Sequence, residues 1–137
     1  MTYFGQRDLT LSTVHCNRGN DLIELEKYEE AIIYYDRALE IDFDNDSAWY
    51  NRGISLVNLG RYEEAIASYD KALEIDSDND SAWYNRGIAL SNLGKYEEAI
   101  ASYDRSLKLQ PKDYKGWNNR GSALGNLGRY EEAIASL

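Results

Sequence analysis

The sequence has 137 residues, of which 43% are apolar, so it can form one domain with a hydrophobic core and is not a disordered chain. Its net charge of −9 and its lack of a Lys/Arg cluster argue against nucleic acid or an anionic membrane surface as a partner. The single Cys16 excludes an internal disulfide, and there is neither a signal-peptide pattern nor an apolar run of about 18 residues, so we expect a cytoplasmic protein.

A short motif recurs along the chain at a fixed spacing. "WYNRG" occurs at 49–53 and again at 83–87, with looser copies at 15–19 ("HCNRG") and 117–121 ("WNNRG"), which gives a period of 34 residues. A constant period of this size predicts stacked supersecondary units. We place an N-terminal segment at 1–11, three units at 12–45, 46–79 and 80–113, and a fourth at 114–137 that is about ten residues short.

Each unit is predicted to form two helices, as residues 46–79 illustrate. Asp46 or Ser47 suits the N-cap of the first helix, Gly60 suits the left-handed residue that ends it, and the second helix begins near Tyr62. Apolar residues recur at helical spacing in both: Trp49, Gly53 and Leu56 in the first, and Tyr62, Ala65, Ile66, Tyr69, Ala72 and Leu73 in the second. We expect the small residues to let the helices approach while Trp49 and Tyr69 fill the core.

The outer units follow the same plan with some changes. In the first unit His15 replaces the tryptophan, and Glu26 stands where later units have glycine. The fourth unit keeps that glycine as Gly128, so its second helix is predicted to start near Tyr130.

The repeated pattern W-x3-G-x2-L-x3-G-x-Y-x2-A-x3-Y-x2-A resembles the tetratricopeptide repeat over residues 12–137. The departures are His15, the single Pro111 near a unit's end, and an arginine before the glycine where leucine is common. The resemblance implies an all-α fold, a right-handed α-solenoid of antiparallel helix pairs, with the first helix of each pair on the concave surface.

Asparagine recurs on the first helices, on the side away from the tryptophan. Asn51 lies about 200° around the helix from Trp49 and should therefore face away from the repeat's core. Stacking would align two amide ladders, Asn17, Asn51, Asn85 and Asn119, and Asn58, Asn92 and Asn126, with Tyr50 and Tyr84 at the groove's edge. The resemblance implies that asparagine here contacts an extended peptide. The alternative is structural: the amides solvate the surface or bridge adjacent helices by hydrogen bonds.

The other polar residues indicate architecture. The repeated "YEEAI" is a solvated helix start, and Arg18, Arg52, Arg86 and Arg120 should pair with acids of neighbouring helices, such as those of "EID" and "DND". His15 and Cys16 are adjacent on a helix and poorly placed to share a metal. We find no catalytic constellation or phosphate-binding loop, and therefore predict no enzyme, cofactor or metal site.

One branch of the family resembled here grips acidic chaperone tails with Lys and Arg beside asparagine. The matching cationic positions are Cys16, Ser81 and Asn85, or Tyr50, Lys115 and Asn119 if the clamp starts one unit later. Only one of these is basic, so we expect no chaperone-tail clamp.

The predicted function is a protein-interaction scaffold that holds an extended peptide or partner segment in its concave groove. Two alternatives stay open. The chain could self-assemble end to end or as a dimer through an uncapped C-terminal repeat, using Tyr130, Ile134 and Leu137 and the N-terminal residues Tyr3, Phe4, Leu9 and Leu11. It could also be the targeting part of a larger protein.

Overall fold

A computed structural model describes residues 2–136, with side chains from Leu9 to Ser136. Over this range the chain forms α-helices and no strand, which confirms the predicted all-α class. The helices are α1 (Thr2–Glu24), α2 (Tyr28–Ile41), α3 (Asp46–Asn58), α4 (Tyr62–Ile75), α5 (Asp80–Asn92), α6 (Tyr96–Leu109) and α7 (Tyr114–Ala135). They make two compact units: unit 1 (Met1–Asp76) contains α1–α4, and unit 2 (Ser77–Leu137) contains α5–α7.

α3, the first helix of the second repeat, begins one residue earlier than predicted. Asn45, not Asp46 or Ser47, is the N-cap of α3, and its side-chain oxygen accepts a hydrogen bond from the Ala48 N–H at 3.1 Å. Asn79 caps α5 in the same way. Asp46 instead lies in the first turn, where its charge favours the helix N-terminus.

The turns between paired helices use a left-handed residue, as predicted for Gly60. Gly60 and Gly94 have φ of 74° and 75°, a conformation that glycine adopts without a steric cost. In the first pair Glu26 takes the same place with φ 59°. After Gly60, the Arg61 N–H donates to the Leu56 carbonyl at 2.8 Å, which closes the end of α3.

In each of the first three helix pairs, a tyrosine ring of the second helix packs closely on a glycine of the first helix. Tyr69 is fully buried, and a Cβ added to Gly53 would lie 2.5 Å from its ring. The same contact joins Tyr35 to Gly19 and Tyr103 to Gly87. The predicted role of Tyr69 in the core is therefore confirmed.

The predicted role of Trp49 in the core is confirmed in part, because Trp49 packs against the core cluster of unit 1 without being fully buried. Trp49 is only half-buried; its indole N–H donates to the Phe43 carbonyl at 2.8 Å, and its ring meets the Phe43 ring edge-on at 5.4 Å. Trp83 and Trp117 donate in the same way to the carbonyls of Ser77 and Pro111. The indole N–H of each tryptophan donates to a carbonyl in the loop before its helix, so the tryptophan side chains hold these loops in place.

The fourth unit does not form the predicted helix pair. α7 runs without a break from Tyr114 to Ala135, through Gly128 and Tyr130, and Gly128 lacks the positive φ of Gly60 and Gly94. At the position of Tyr69 and Tyr103, whose rings pack on a glycine, the fourth unit has Leu137, which lies outside the described residues. Without that ring contact a turn at Gly128 gains little, and continuing the helix satisfies the backbone instead.

The N-terminal segment is not structurally separate from the first unit. α1 starts at Thr2 and continues through residue 11 into the first repeat. Leu9 and Leu11 are 52% and 47% exposed, whereas the side chains of Tyr3 and Phe4, which the self-assembly hypothesis also invoked, lie outside the described residues.

The three buried tyrosines differ in what their hydroxyls contact. The Tyr35 hydroxyl donates to Asn20 Oδ1 at 2.6 Å, and the Tyr103 hydroxyl lies 3.4 Å from that of Ser91. The Tyr69 hydroxyl is buried with no hydrogen-bond partner among the described residues. The residues corresponding to Asn20 and Ser91 in its repeat are Ile54 and Val57, which offer no polar side-chain atom.

Removing these hydroxyls one at a time should therefore give unequal effects. We expect Tyr35→Phe to lower the free energy of unfolding by about 1 kcal/mol, because it breaks a bond and leaves Asn20 unpaired. Tyr69→Phe should be neutral or stabilising, since it removes a buried hydroxyl without a partner. Urea unfolding measures both; an equal loss in the two variants would contradict the assignment.

Candidate functional site

In unit 1 the asparagine face is carried by α1 and α3, which contact each other. Asn17 is exposed, while Asn51 and its neighbour Tyr50 are half-buried. The Tyr50 ring packs on the Tyr69 ring, with centroids 6.0 Å apart. Tyr50 therefore has a fixed base in the core and a partly open outer side, beside the Asn51 amide.

Two side chains of the second predicted ladder, Asn58 and Asn92, form hydrogen bonds within their own helices. Asn58 Nδ2 donates to the Ile54 carbonyl at 2.9 Å, and Asn92 Nδ2 donates to the Ile88 carbonyl at the same distance. Both side chains are exposed, as is Asn126 on α7. These local bonds occupy one amide hydrogen of each residue and hold the amide oxygen in a defined direction as an acceptor.

In unit 2 the structure brings two of the predicted residues into direct contact. Asn119 Nδ2 on α7 donates to the Tyr84 hydroxyl on α5 at 2.6 Å, and the Tyr84 ring rests on that of Tyr103 with centroids 6.0 Å apart. Burial raises the pKa of Tyr84, and the nearby Asp113 carboxylate raises it further, so the hydroxyl stays protonated. From the sequence, hydrogen bonds between adjacent helices were the structural alternative for these asparagines, and Asn119 makes such a bond between α7 and α5.

The remaining first-ladder residue, Asn85, is half-buried on α5 next to Tyr84. On α7 there is an open, mostly polar cleft of about 520 Å³. The residues lining this cleft are Asn118, Gly121, Ser122, Gly125, Asn126 and Arg129.

Three of the four arginines that precede the repeated glycines bind side chains of other helices, namely Arg52, Arg86 and Arg120. Arg52 Nε lies 2.8 Å from Asp36 Oδ1 on α2, and Arg52 Nη1 donates to the buried Ser68 hydroxyl on α4 at 2.7 Å. Arg120 pairs with Asp104 at 2.6 Å. Pairing with acids of neighbouring helices is therefore confirmed for Arg52 and Arg120, but "EID" and "DND" were the wrong segments.

The sequence-based prediction did not identify the buried serines that accept hydrogen bonds from these arginines. The Ser68 hydroxyl accepts a hydrogen bond from Arg52 Nη1, and the Ser102 hydroxyl accepts one from Arg86 Nη1 at 2.6 Å. The signal was present: both serines are 16 residues after their arginine, on the buried side of the second helix. These bonds hold the guanidinium groups between helices, on the tryptophan side, where Arg52 lies 5.9 Å from the Trp49 ring centre.

The positions matching a chaperone-tail clamp carry no cation in the first register. Cys16 is buried, Ser81 is exposed and Asn85 is half-buried. Burial, and then the Asp46 charge, raise the pKa of the Cys16 thiol, so that it is uncharged at neutral pH. Lys115, from the later register, is exposed on α7.

Other kinds of site find little support in the described part of the chain. Between Leu9 and Ser136, no group of three or more His, Cys, Asp and Glu side chains is placed to hold a metal ion. His15 is half-buried, and its ring lies 6.0 Å from that of Tyr34. None of the helices described between residues 2 and 136 combines the length and apolarity needed to cross a membrane.

The sequence matches family models along most of its length. A model described as "TPR repeat" matches residues 19–60 and 53–94. Two models described as "Tetratricopeptide repeat" match 81–113 and 102–135. A comparison with curated proteins finds no match.

Three of the solved structures to which this chain is similar contain a bound peptide. The first TPR of Spaghetti (RPAP3) bound to HSP90 peptide SRMEEVD is 27% identical, covers 88% of this chain and 95% of that one, and has a TM-score of 0.85. The second TPR of Spaghetti bound to the same peptide is 30% identical, with 78% and 98% covered and a TM-score of 0.76. The second TPR domain of human RPAP3 in complex with HSP70 peptide SGPTIEEVD is 27% identical, with 87% and 97% covered and a TM-score of 0.79.

Proposed function

Because the chain belongs to the tetratricopeptide-repeat family, we propose that it is a scaffold that binds an extended peptide or a segment of a partner protein. The bound segment contacts the asparagine side chains that α1 and α3 present in unit 1, or those that α5 and α7 present in unit 2. The observation that carries the proposal is that similar domains bind short peptides, while this chain presents a regularly spaced series of amide side chains. The protein binds and does not catalyse, and it works in the cytoplasm.

Main-chain recognition follows from the chemistry of the amide. An asparagine side chain donates and accepts hydrogen bonds, which matches the alternating N–H and C=O groups of an extended backbone. Asn51 is half-buried beside the anchored Tyr50, so its rotamers are restricted before binding, which lowers the entropic cost of the contact. Asn119, already donating to Tyr84, retains its amide oxygen as an acceptor for a peptide N–H.

The bound peptide is not an acidic chaperone tail of the kind seen in the similar structures. Cys16, Ser81 and Asn85 supply no positive charge at the positions where a carboxylate clamp needs it, and Cys16 is buried as well. A peptide carboxylate placed there would lose its hydration without gaining a cation. We therefore expect weak binding of SRMEEVD and tighter binding of less acidic extended peptides.

The test is isothermal titration with peptides selected from a library, against the parent and the double variant Asn51→Ala/Asn85→Ala. We expect the double variant to bind at least about tenfold more weakly, because each amide contributes about 1 kcal/mol through its hydrogen bonds. Gln110→Ala, which removes an exposed amide at the end of α6, is the matched control and should bind like the parent.

Unfolding midpoints are measured alongside, so that loss of binding is separated from loss of structure. Equal affinity of the parent and a folded double variant would show that these amides do not hold the peptide.

A further inference from the structure

A cleft in unit 1 lies on the tryptophan side of α3, away from the asparagine face. It is open, has a volume of about 500 Å³, and is bordered by α2, the loop after α2 and α3. The residues that line it are Asp36, Leu39, Glu40, Phe43, Trp49 and Arg52. Because Trp49 lies about 200° around α3 from Asn51, a molecule bound in this cleft would not occupy the amide site.

Two aromatic rings form one wall of the cleft. The Phe43 and Trp49 rings meet edge-on with centroids 5.4 Å apart, and Phe43 is 59% exposed. Cations of the chain itself already lie near both rings. Lys71 Nζ is 5.6 Å from the centre of the Phe43 ring, and the Arg52 guanidinium carbon is 5.9 Å from that of Trp49. Both distances are close to the limit of about 6 Å for a cation–π contact, so the exposed part of Phe43 can accept a closer cation.

The α2 side of the cleft carries a negative charge that is not offset. Asp36 pairs with Arg52 at 2.8 Å, so these two charges balance each other. Glu40 is exposed, and in the described part of the chain no ion pair joins it to a cation. In addition, α2 has no basic residue in its last turn, which leaves the partial negative charge of its C-terminus uncompensated. The cleft is therefore complementary to a positive charge.

Unit 2 contains the same local arrangement without the features that favour a cation. The loop before Trp117 keeps the indole hydrogen bond, and the arginine–aspartate pair is present as well. Pro111 stands in the place of Phe43, so the exposed ring is missing. Lys108 stands in the place of Glu40, so the charge is reversed. The architecture of the repeat thus requires neither Phe43 nor Glu40, and these two residues distinguish the cleft of unit 1.

We propose that this cleft binds an arginine side chain of a partner protein. The guanidinium stacks on the exposed Phe43 ring and pairs with the Glu40 carboxylate, and its planar shape favours arginine over lysine for this combination. Because the cleft is open, it suits a side chain presented on another protein's surface better than an enclosed small molecule. The net charge of −9 favours the approach of a basic partner segment.

The test uses a blocked glycine–arginine–glycine peptide titrated into the ¹⁵N-labelled whole chain. We expect the indole N–H signal of Trp49 to shift and saturate, while that of Trp117, which lacks the ring and the carboxylate beside it, stays in place. The same peptide with citrulline, an uncharged analogue of arginine, should bind at least about tenfold more weakly, because it loses both the ion pair and the cation–π contact.

Two variants separate the contribution of the ring from that of the charge. Phe43→Ser introduces the residue that stands at position 77, where the Trp83 indole still donates to the loop carbonyl, so the loop should keep its shape. Phe43→Ser and Glu40→Gln should each weaken binding of the arginine peptide by about threefold. Glu30→Gln changes the net charge equally at an exposed position of α2 outside the cleft, and should bind like the parent.

Equal binding of the arginine and citrulline peptides, or equal shifts of the Trp49 and Trp117 signals, would overturn the proposal. So would the absence of a saturable Trp49 shift, or an unchanged affinity in Phe43→Ser or Glu40→Gln. The double variant Asn51→Ala/Asn85→Ala should bind the arginine peptide like the parent, which keeps this result separate from the test of the amide site.

Discussion

Gly53→Ala and Gly87→Ala are each expected to lower the free energy of unfolding by about 1–3 kcal/mol. The new Cβ would lie 2.5 Å from the ring of Tyr69 or Tyr103, and both rings are buried and cannot move aside freely. Alanine is the better helix former by about 1 kcal/mol, so a net loss of stability reports the steric conflict itself.

Gly121→Ala is the matched control for this prediction, because it has the same sequence context but no neighbour within 4 Å. It should raise stability by about 0.5–1 kcal/mol, the gain expected from helix propensity alone. Urea unfolding of the parent and the three variants measures these changes. A loss of stability in Gly121→Ala similar to that in Gly87→Ala would show that a side chain packs on residue 121, contrary to the straight α7.

Raising the pH from about 9 to about 11 is expected to destabilise the protein strongly. Burial raises the pKa of Tyr35, Tyr69 and Tyr103, because the apolar core disfavours the phenolate. In the unfolded chain these hydroxyls ionise near their usual pKa of about 10, so above it the unfolded state loses protons that the folded state keeps. Stability is then lost by up to about 1.4 kcal/mol per tyrosine for each pH unit, and is unaffected by these groups below about pH 9.

The free energy of unfolding, measured by urea across this pH range, tests the prediction. Tyr69→Phe is the informative variant, since it removes one buried phenol without breaking a hydrogen bond. Its dependence on pH should be shallower than that of the parent by about one third of the part contributed by the three tyrosines. Parallel curves for parent and variant would mean that Tyr69 ionises equally in both states.

Much of the fold could be predicted because the same local pattern is written several times. Glycine, tyrosine and alanine recur every 34 residues, and their spacing fixes both the helix ends at Gly60 and Gly94 and the buried stripe around Tyr69. The N-cap was displaced by one residue because Asn45, Asp46 and Ser47 are all good caps, and backbone geometry chooses between them.

Two features could not be predicted from local pattern. A helical wheel places Trp49 on the apolar stripe, and its ring packs against the core cluster. Its indole N–H, however, donates to the Phe43 carbonyl in the preceding loop, and the ring is only half-buried. The nine identical residues at 60–68 and 128–136 adopt a turn in one place and a straight helix in the other. Tertiary contact, here a ring on a glycine, outweighs local preference.

The asparagine face was predictable in outline, because helical geometry alone separates Asn51 from Trp49. The bond from Asn119 to Tyr84 was not, since it joins residues 35 apart in different repeats and depends on how α5 and α7 pack. This bond leaves the amide oxygen of Asn119 free to accept a further hydrogen bond, and it holds the Asn119 side chain more rigidly than that of the exposed Asn17.

Nuclear magnetic resonance of the side-chain NH2 groups tests whether the asparagine amides of α3 and α5 contact a bound peptide. When ¹⁵N-labelled protein is titrated with a library-selected peptide, we expect the NH2 signals of Asn51 and Asn85 to shift in step with binding, while the signal of Gln110 stays in place. Shifts confined to the indole N–H groups of Trp49, Trp83 and Trp117, with the asparagine signals unmoved, would place the peptide on the tryptophan side of these helices and show that the amides do not bind it.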